Sequence, residues 1–502
     1  TRWRCPMNHL AMPAVSYAAL APILFLLLGG VALMVLSALS RRPLSAGTVT
    51  GYSVLIGFGA LISALAEYGH VNGAGPSSTV ASAIAVDGFS AAIAVTVSVV
   101  VILASLLSHG YLRRMQIDAP AYHVLALTSA SGAIIMAAAN DLVVLFLGLE
   151  ILSIALYVLA ALNRRSAKSE EAALKYFILG GFSSAIFLFG IAFTYGATGS
   201  TNLQVITRTL GEGVAAKPGL LLAGLGLLLV GFFFKVAAVP FHLWTPDVYE
   251  GAPTPVTGFM AAAAKVGGFA ALLRVLLTAM SQLSTNWTPV VYSVAVATLI
   301  GGAVLMVVQR DAKRMLAYSS INHAGFLLVG IVAATSAGIS ADLFYLFTYS
   351  VTALATFGIV TMLAGPRDDD AGINRLSGLA HRHPAIGAAM AILLLAQAGV
   401  PFTTGFIAKF SVIEAVVGHG SIPLAIIAMA SAAVAVFAYL RLVATLYRTE
   451  DIATVDLGYD DSLTDGPAAF AIGLSVVVTI FFGIFPAALL DFGRTAVAHL
   501  LP

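Results

Sequence analysis

Cysteine is almost missing from this chain of 502 residues: Cys5 is the only one. A lone thiol forms no internal disulfide and no zinc or iron–sulfur ligand set, so the sequence excludes those centres. Charge is nearly as scarce. Asp, Glu, Lys and Arg together make up 10% of the residues, where a soluble globular protein has about a quarter. The sequence has no GxxxxGKS or GxxxxGKT phosphate loop, no flavin or nicotinamide fingerprint after a strand and no metal-cluster spacing. The chain therefore contains no energy source of its own. Its net charge of +2 does not point to nucleic acid, because the basic residues lie in short loops and not in one patch.

What is abundant is apolar surface. Hydrophobic residues are 60% of the chain and the mean hydropathy is +0.97, which fits only a polytopic membrane protein. Residues Thr1–Pro13 are too polar for the core of a signal peptide, and no cleavable leader is expected. A helix needs about 20 apolar residues to cross the hydrocarbon layer. With Gly, Pro and charges as punctuation, fourteen spans are expected, near 14–39, 46–67, 83–109, 121–139, 141–162, 170–196, 218–240, 254–280, 289–309, 311–334, 341–364, 384–418, 422–447 and 466–492. The expected fold class is all-α.

Loop charge gives the orientation. One side collects Arg41, Arg42, Arg113, Arg114, Arg164, Arg165, Lys168, Arg310, Lys313, Arg314, Arg367, Arg375, Arg382, Arg441 and Arg448, and the other only Arg2, Arg4, Arg208, Lys217 and Arg494. Fifteen against five makes the first side cytoplasmic and puts both termini outside. The inner loops 366–383 and 448–465, with Asp368–Asp370 and Asp456–Asp465, are expected to be solvated connections.

Five of the 25 Lys and Arg residues fall inside spans: Lys175, Lys235, Lys265, Arg274 and Lys409. A charge at the bilayer centre costs at least about 2.5–3.5 kcal/mol, so such residues usually line a polar path. Glu150, in FLGLEILSIAL, is about 13 Å into its span and Lys265, in AAAAKVGGF, about 16 Å. His323, in SSINHAGF, is at a similar depth. Lys175 and Arg274 lie nearer span ends and can snorkel to headgroups. His323 and His242 can be neutral, hydrogen-bonded core histidines or part of a proton relay. Glu150, Lys235, Lys265 and Lys409 are deep or sit beside a break, where a purely structural role is hard to sustain.

The breaks sharpen this reading. Pro240 in KVAAVPFHLW and Pro401 in AGVPFTTGFIAKF each remove a backbone donor. Interrupted helices at membrane depth are tolerated where protein or water satisfies the freed carbonyls, and their ends build ion sites. Each Val-Pro-Phe has a lysine close by, Lys235 before one and Lys409 after the other. The two breaks lie five spans apart, as two inverted five-helix repeats would place them. The chain thus divides into an N-terminal three-helix segment (1–120), two five-helix repeats (121–280 and 281–447) and an inner loop with the last span (448–502). A free lysine near pKa 10.4 holds its proton too tightly to relay it. Burial lowers that value and a carboxylate restores it, so Glu150 moving against a lysine, Lys235 by preference, would load and unload a proton.

These residues resemble the antiporter-like membrane subunits of proton-pumping NADH:quinone oxidoreductase, respiratory complex I. The likeness covers spans four to thirteen. The run from Lys235 through PFHLWTPDVYEGAPTPVT to Lys265 is most similar to the N-type. The resemblance implies that Glu150, Lys235, Lys265 and Lys409 match the family's proton path. It also implies that Lys175 matches a further path lysine and His323 a polar residue of the central axis. Lysine at 409 fits the N-type, where the M-type has glutamate. The chain ends just past the last span and is expected to lack the lateral helix of the L-type; fourteen spans resemble the bacterial form. No cofactor is expected on this chain; NADH, flavin, iron–sulfur clusters and quinone are implied in partner subunits. The partners implied are an M-type neighbour, a small K-type subunit and lipids, in a bacterial cytoplasmic membrane. Two rival readings are a multisubunit cation/proton antiporter, which shares this ancestry, and an inert spacer in the membrane arm.

Overall fold

The computed structural model describes residues 15–213, 217–364, 368, 371–448 and 465–500. Cys5, the polar start and residues 449–464 of the acidic loop lie outside that set. Several helices begin where a short polar side chain takes the first free amides. Helices α1 (Ala21–Leu39) and α2 (Ala46–Ala74) lead to a small hairpin, β1 (Ser77–Thr79) and β2 (Ile84–Val86). Asp87 then starts α3 (Gly88–Met115) with a capping box to Ser90. Asp118 and Asp141 cap α4 (Ala119–Ala138) and α5 (Leu142–Ala160). After α6 (Ala167–Thr198), the short amphipathic α7 (Leu203–Gly211) is capped by Asn202.

The first break follows α8 (Pro218–Val236). Ala237 adopts a left-handed conformation, and the chain resumes in α9 (Trp244–Gly251). The freed backbone groups find partners: the Phe234 carbonyl accepts from Trp244 Nε1 at 3.0 Å, and the Val239 amide donates to Thr298 Oγ1 at 3.0 Å. The next crossing is α10 (Thr254–Phe259), a π turn at Met260–Ala264, α11 (Lys265–Arg274) and a second π turn at Val275–Ala279. Then come α12 (Ser284–Val307), α13 (Ala312–Val332, capped by Asp311) and α14 (Ser336–Met362, capped by Thr335). The short α15 (Leu379–Arg382) precedes α16 (Pro384–Ala398), and after the second break come α17 (Thr404–Gly418) and α18 (Ile422–Leu446). The chain closes with α19 (Gly466–Ile484) and α20 (Ala487–Ala498).

Among the described residues, 13 helices are long and apolar enough to cross a membrane. The fourteenth crossing is α16 and α17 in tandem, each of 15 residues and therefore about 22 Å long, too short to span alone. Gly399, at φ 92, turns the chain between them. The expected last span, 466–492, ends earlier: Pro486 separates α19 from α20. The hairpin and α7 were not foreseen, because both are shorter than a membrane-span window detects.

Burial is uneven in a way that locates function. The apolar windows of α13, α14 and the Thr254–Ala279 crossing are 94–100% buried, whereas those of α1, α2 and α19 are 33% buried. The protein is thus a shell of apolar helices around a few enclosed ones. The enclosed ones carry Lys265, Arg274, His323 and Asp342, while Glu150, Lys235 and Lys409 lie on half-enclosed neighbours with their side chains turned inward.

Three expectations need correction here. Asp465, expected in a solvated connection, is 6% exposed and accepts from the Gly110 amide at 3.0 Å. Arg274 does not snorkel. Its guanidinium, 1% exposed, forms a fork with fully buried Asp87 at 2.8 and 2.9 Å, and Nε donates to Ala137 O at 2.5 Å. The partner is 187 residues away, so local sequence gave no hint of it. Asp368 is not a solvated loop residue: its carboxylate takes the amide and hydroxyl of Thr254 and the hydroxyl of Tyr111, with Lys313 at 3.6 Å.

Candidate functional site: a polar track through the buried helices

Lys235 occupies the last turn of α8, just before the break, and is 5% exposed. Its amine donates to Ser153 Oγ of α5 at 2.8 Å and reaches Tyr176 OH of α6 at 3.5 Å. Tyr176 in turn stacks on Trp244 at 4.5 Å, which ties the break to α6. A small cavity beside this amine, lined by Ser153, Ser183, Ser184 and Lys235 among others, measures about 10 Å³, the space of roughly one water. Glu150 lies one turn before Ser153 and interacts electrostatically with Lys235, but the two form no ion pair. Oε1 of Glu150 is buried with no hydrogen-bond partner among the described residues.

Lys175 lies at the Arg/Lys-rich face, 43% exposed, bonded to Glu171 at 2.7 Å and to Asp247 at 2.9 Å. Arg314 pairs with Asp247 and Glu250 at 2.8 and 3.0 Å. Lys168, Glu171, Lys175, Asp247 and Glu250 line a cavity of about 140 Å³. Partial burial raises the Asp247 carboxyl, but the hydrogen bonds from Lys175 and Arg314 outweigh it and hold the group below the ordinary value. His242 sits within the first break, 9% exposed, its Nδ1 without a partner among the described residues. It bonds to none of the lysines.

Lys265 opens α11 directly after the π turn, a local widening that frequently marks functional positions. Its amine donates to the Ser320 carbonyl of α13 and lies 5.5 Å from the Tyr349 ring centre. Three residues on from that serine, His323 bonds Tyr345 OH through Nδ1 at 2.7 Å and Tyr439 OH through Nε2 at 3.2 Å. Tyr439 meets Ser319 Oγ, and Ser319 donates to Gln397 Oε1 at 3.4 Å. The Gln397 amide donates to Thr356 Oγ1 at 2.7 Å. Lys409 completes the run: its amine donates to the carbonyls of Gln397 and Ala398, both at 2.9 Å.

The structure therefore joins Lys409 to His323 through Gln397, Ser319 and Tyr439, and brings Lys265 to the same helix. Lys235 and Glu150 form a separate group. No hydrogen-bonded run links Lys235 to Lys265 among the described residues, although α8 and α11 pass closely: a Cβ on Gly268 would sit 3.3 Å from Lys235 Cγ. Ser153, Tyr176, Ser319, Tyr345, Thr356 and Tyr439 were missed from sequence, because hydroxyls in apolar helices commonly bond the preceding turn and look alike. Gln397, an amide in LLLAQAGVPF beside the break, was the visible signal.

Buried amines, linked hydroxyls and two broken helices define a polytopic membrane protein of the ion-translocating kind. The family described as NADH:quinone oxidoreductase/Mrp antiporter, TM, matches residues 139–435. The chain belongs to that family. It is 44% identical over 373 residues to NADH-quinone oxidoreductase subunit N of Rhodococcus opacus, covering 74% of this chain and 68% of the relative. To the protein of the same name from Mycobacterium tuberculosis it is 44% identical over 385 residues, covering 75% and 71%. A chain of Thermus thermophilus respiratory complex I with bound aureothin superposes with a TM-score of 0.76 at 30% identity, covering 94% of this chain and 98% of that one. A chain of the Mrp complex from Dietzia shares the fold, with a TM-score of 0.84 at 20% identity and coverage of 97% and 98%.

Proposed function

We propose that this chain is the N-type, proton-translocating membrane subunit of an NADH:quinone oxidoreductase. It moves protons from cytoplasm to exterior through Lys235, Lys265, His323 and Lys409, with Glu150 modulating Lys235. The observation that carries the reading is the connection of Lys409 to His323: the amine bonds the backbone carbonyl of Gln397, whose side chain meets Ser319, and Ser319 meets Tyr439 beside His323. Buried amines and hydroxyls can pass a proton only if each donor can become an acceptor, and desolvation brings a lysine toward that condition. The Lys175–Asp247–Arg314 cluster forms the mouth on the Arg/Lys-rich face, which we assign to the cytoplasm by its excess of basic loops. Both termini then face outward in a bacterial cytoplasmic membrane, and the two five-helix blocks are inverted repeats about the broken helices. His242, in the first break, would hydrate the approach to Lys235. NADH, flavin, iron–sulfur clusters and quinone belong to partner subunits, whose reaction supplies the work. The M-type subunit and the small K-type subunit are the expected neighbours.

The test is Lys235→Met in the assembled complex, with NADH-driven acidification followed in inverted vesicles. Loss or strong reduction of pumping with intact assembly is expected, and full pumping overturns the assignment. The joint family description favours one second reading, a cation/proton antiporter subunit. Sodium–proton exchange by purified vesicles without NADH or quinone would select it.

A further inference from the structure

Asp342 has no part in the track described so far. It is fully buried in α14, and neither of its carboxylate oxygens has a hydrogen-bond partner among the described residues. An ionised carboxylate left without donors in a dry interior bears the full desolvation cost, which a bound proton removes. Such a residue within a membrane span is rarely kept without a function.

Its position gives that function. Asp342 and Tyr345 are one turn apart on α14, and the two interact electrostatically. Tyr345 holds His323 of α13. Seven residues beyond His323, two turns and about 10 Å along the same face, Gly330 lies against the Asp342 carboxyl. A Cβ on Gly330 would fall 2.2 Å from Oδ1, so a glycine there leaves the space that the carboxyl fills. In the other direction, Ile339 is one turn from Asp342 and lines a cavity of about 790 Å³ together with Thr335, Ser336, Ser281, Thr285 and His419. That cavity lies at the face opposite the Arg/Lys-rich loops. Asp342 thus stands between the His323–Tyr345 pair and a hydroxyl-lined vestibule, with a glycine facing it and no competing cation bonded to it.

We propose that Asp342 is a proton-carrying carboxyl on the exit half of the path, passing protons from the His323–Tyr345 pair to water in the vestibule. This rests on the proton-translocating function proposed above. Asp342 gives its proton to vestibule water, leaving a carboxylate. Tyr345 O–H then protonates the carboxylate through an intervening water, while His323, as its imidazolium, gives its Nδ1 proton to the tyrosine oxygen, becomes neutral and is reprotonated at Nε2 from the Tyr439 side. Each transfer breaks one O–H or N–H bond and makes another, and nothing is oxidised or reduced. The buried carboxyl is assigned to the loaded state, and release requires water to pass Ile339.

The experiment compares Asp342→Asn, Asp342→Glu and Lys409→Met in the intact complex in inverted vesicles, measuring protons moved per NADH oxidised. Asp342→Asn is expected to lose the same fraction of that ratio as Lys409→Met, and Asp342→Glu to keep most of it. A wild-type ratio in Asp342→Asn beside a lowered one in Lys409→Met overturns the exit role and leaves the function standing. Wild-type ratios in both overturn the function, and the exit role with it. If Asp342→Asn does not assemble, redox-triggered infrared difference spectra of wild type and Asp342→Glu decide. A carboxylic C=O band that shifts with the longer side chain supports the role, and an unshifted or absent band overturns it.

Discussion

Lys409 donates a hydrogen bond at 2.9 Å to the carbonyl of Gln397, twelve residues earlier and across the second break. The amine thereby caps the C-terminus of α16, where orphan carbonyls and the negative end of the helix dipole both favour a cation. The lysine that would carry a proton is also the group that satisfies the broken helix. Losing that proton weakens the cap, so protonation and the geometry of the break are linked.

Lys409→Met should therefore have two separable effects. It leaves two buried carbonyls without their donor, at about 1–3 kcal/mol each, and it cuts the track. Thermal unfolding of the purified complex should show a lower midpoint for this subunit. Lys409→Arg should recover most of the midpoint without recovering pumping, because a guanidinium can cap but does not release its proton. Equal pumping by Lys409→Arg and wild type would remove the amine from the path.

The second break also depends on a close backbone approach. A Cβ at Gly405 would lie 1.7 Å from the Ala396 carbonyl oxygen, whereas one at Gly181 would meet nothing within 4 Å. Gly405→Ala should push α17 from α16 and cost about 1–3 kcal/mol or more, seen as reduced yield of assembled complex. Gly181→Ala, on a helix face with free space, should be neutral in the same assay. Normal assembly of both would mean the two half-helices tolerate separation.

Much of the site was legible in the sequence because charge is so rare there. Lys235, Lys265 and Lys409 stand out in apolar runs, and the Val-Pro-Phe breaks mark where two of them fold back on freed carbonyls or hydroxyls. Arg274 was read as a snorkelling residue for the same reason it is not one: its partner Asp87 is distant in sequence and resembles an ordinary helix cap. Asp342 falls at the second position of the expected span 341–364, where a carboxylate reads as an interfacial group. The hydroxyls of Ser319 and Tyr439 carry no signal without the helix contacts that bring them together.

Arg274 and Asp87 form a fully buried pair, and removing one member of such a pair costs about 3–5 kcal/mol because the other charge stays behind. Arg274→Met should sharply lower the amount of assembled complex. Arg274→Met with Asp87→Asn should regain a substantial part, and the complexes that do assemble should pump normally per NADH. A pumping defect in the assembled double variant would place this pair in the proton path.

At the opposite end, Asp247 answers the question of pH. Its folded pKa is depressed by Lys175 and Arg314, below the usual Asp value of about 3.9. The unfolded state therefore binds more protons in acid. The contribution of Asp247 to stability is complete above about pH 4 and is lost only as pH falls through the lowered folded value. The half-exposed pairs are each worth about 0.2–1 kcal/mol. The melting difference between wild type and Asp247→Asn should be small and constant from about pH 6 to 8, and should shrink in acid. A difference that changes through the neutral range would make Asp247 a proton carrier instead of a fixed counter-ion.

Ser319 offers the most selective test of the track. Its hydroxyl meets Tyr439 on one side and Gln397 on the other, at 3.4 Å. After Ser319→Ala, Tyr439 still has His323 at 3.2 Å and Gln397 still has Thr356 at 2.7 Å. The stability cost should stay near about 1 kcal/mol. What disappears is the only side chain joining the Lys409 end to the His323 end among the described residues. Protons moved per NADH should fall while assembly and NADH oxidation persist, and Ser319→Thr, which restores a hydroxyl, should recover the ratio. Unchanged pumping in Ser319→Ala would mean that protons pass between Lys409 and His323 by water alone.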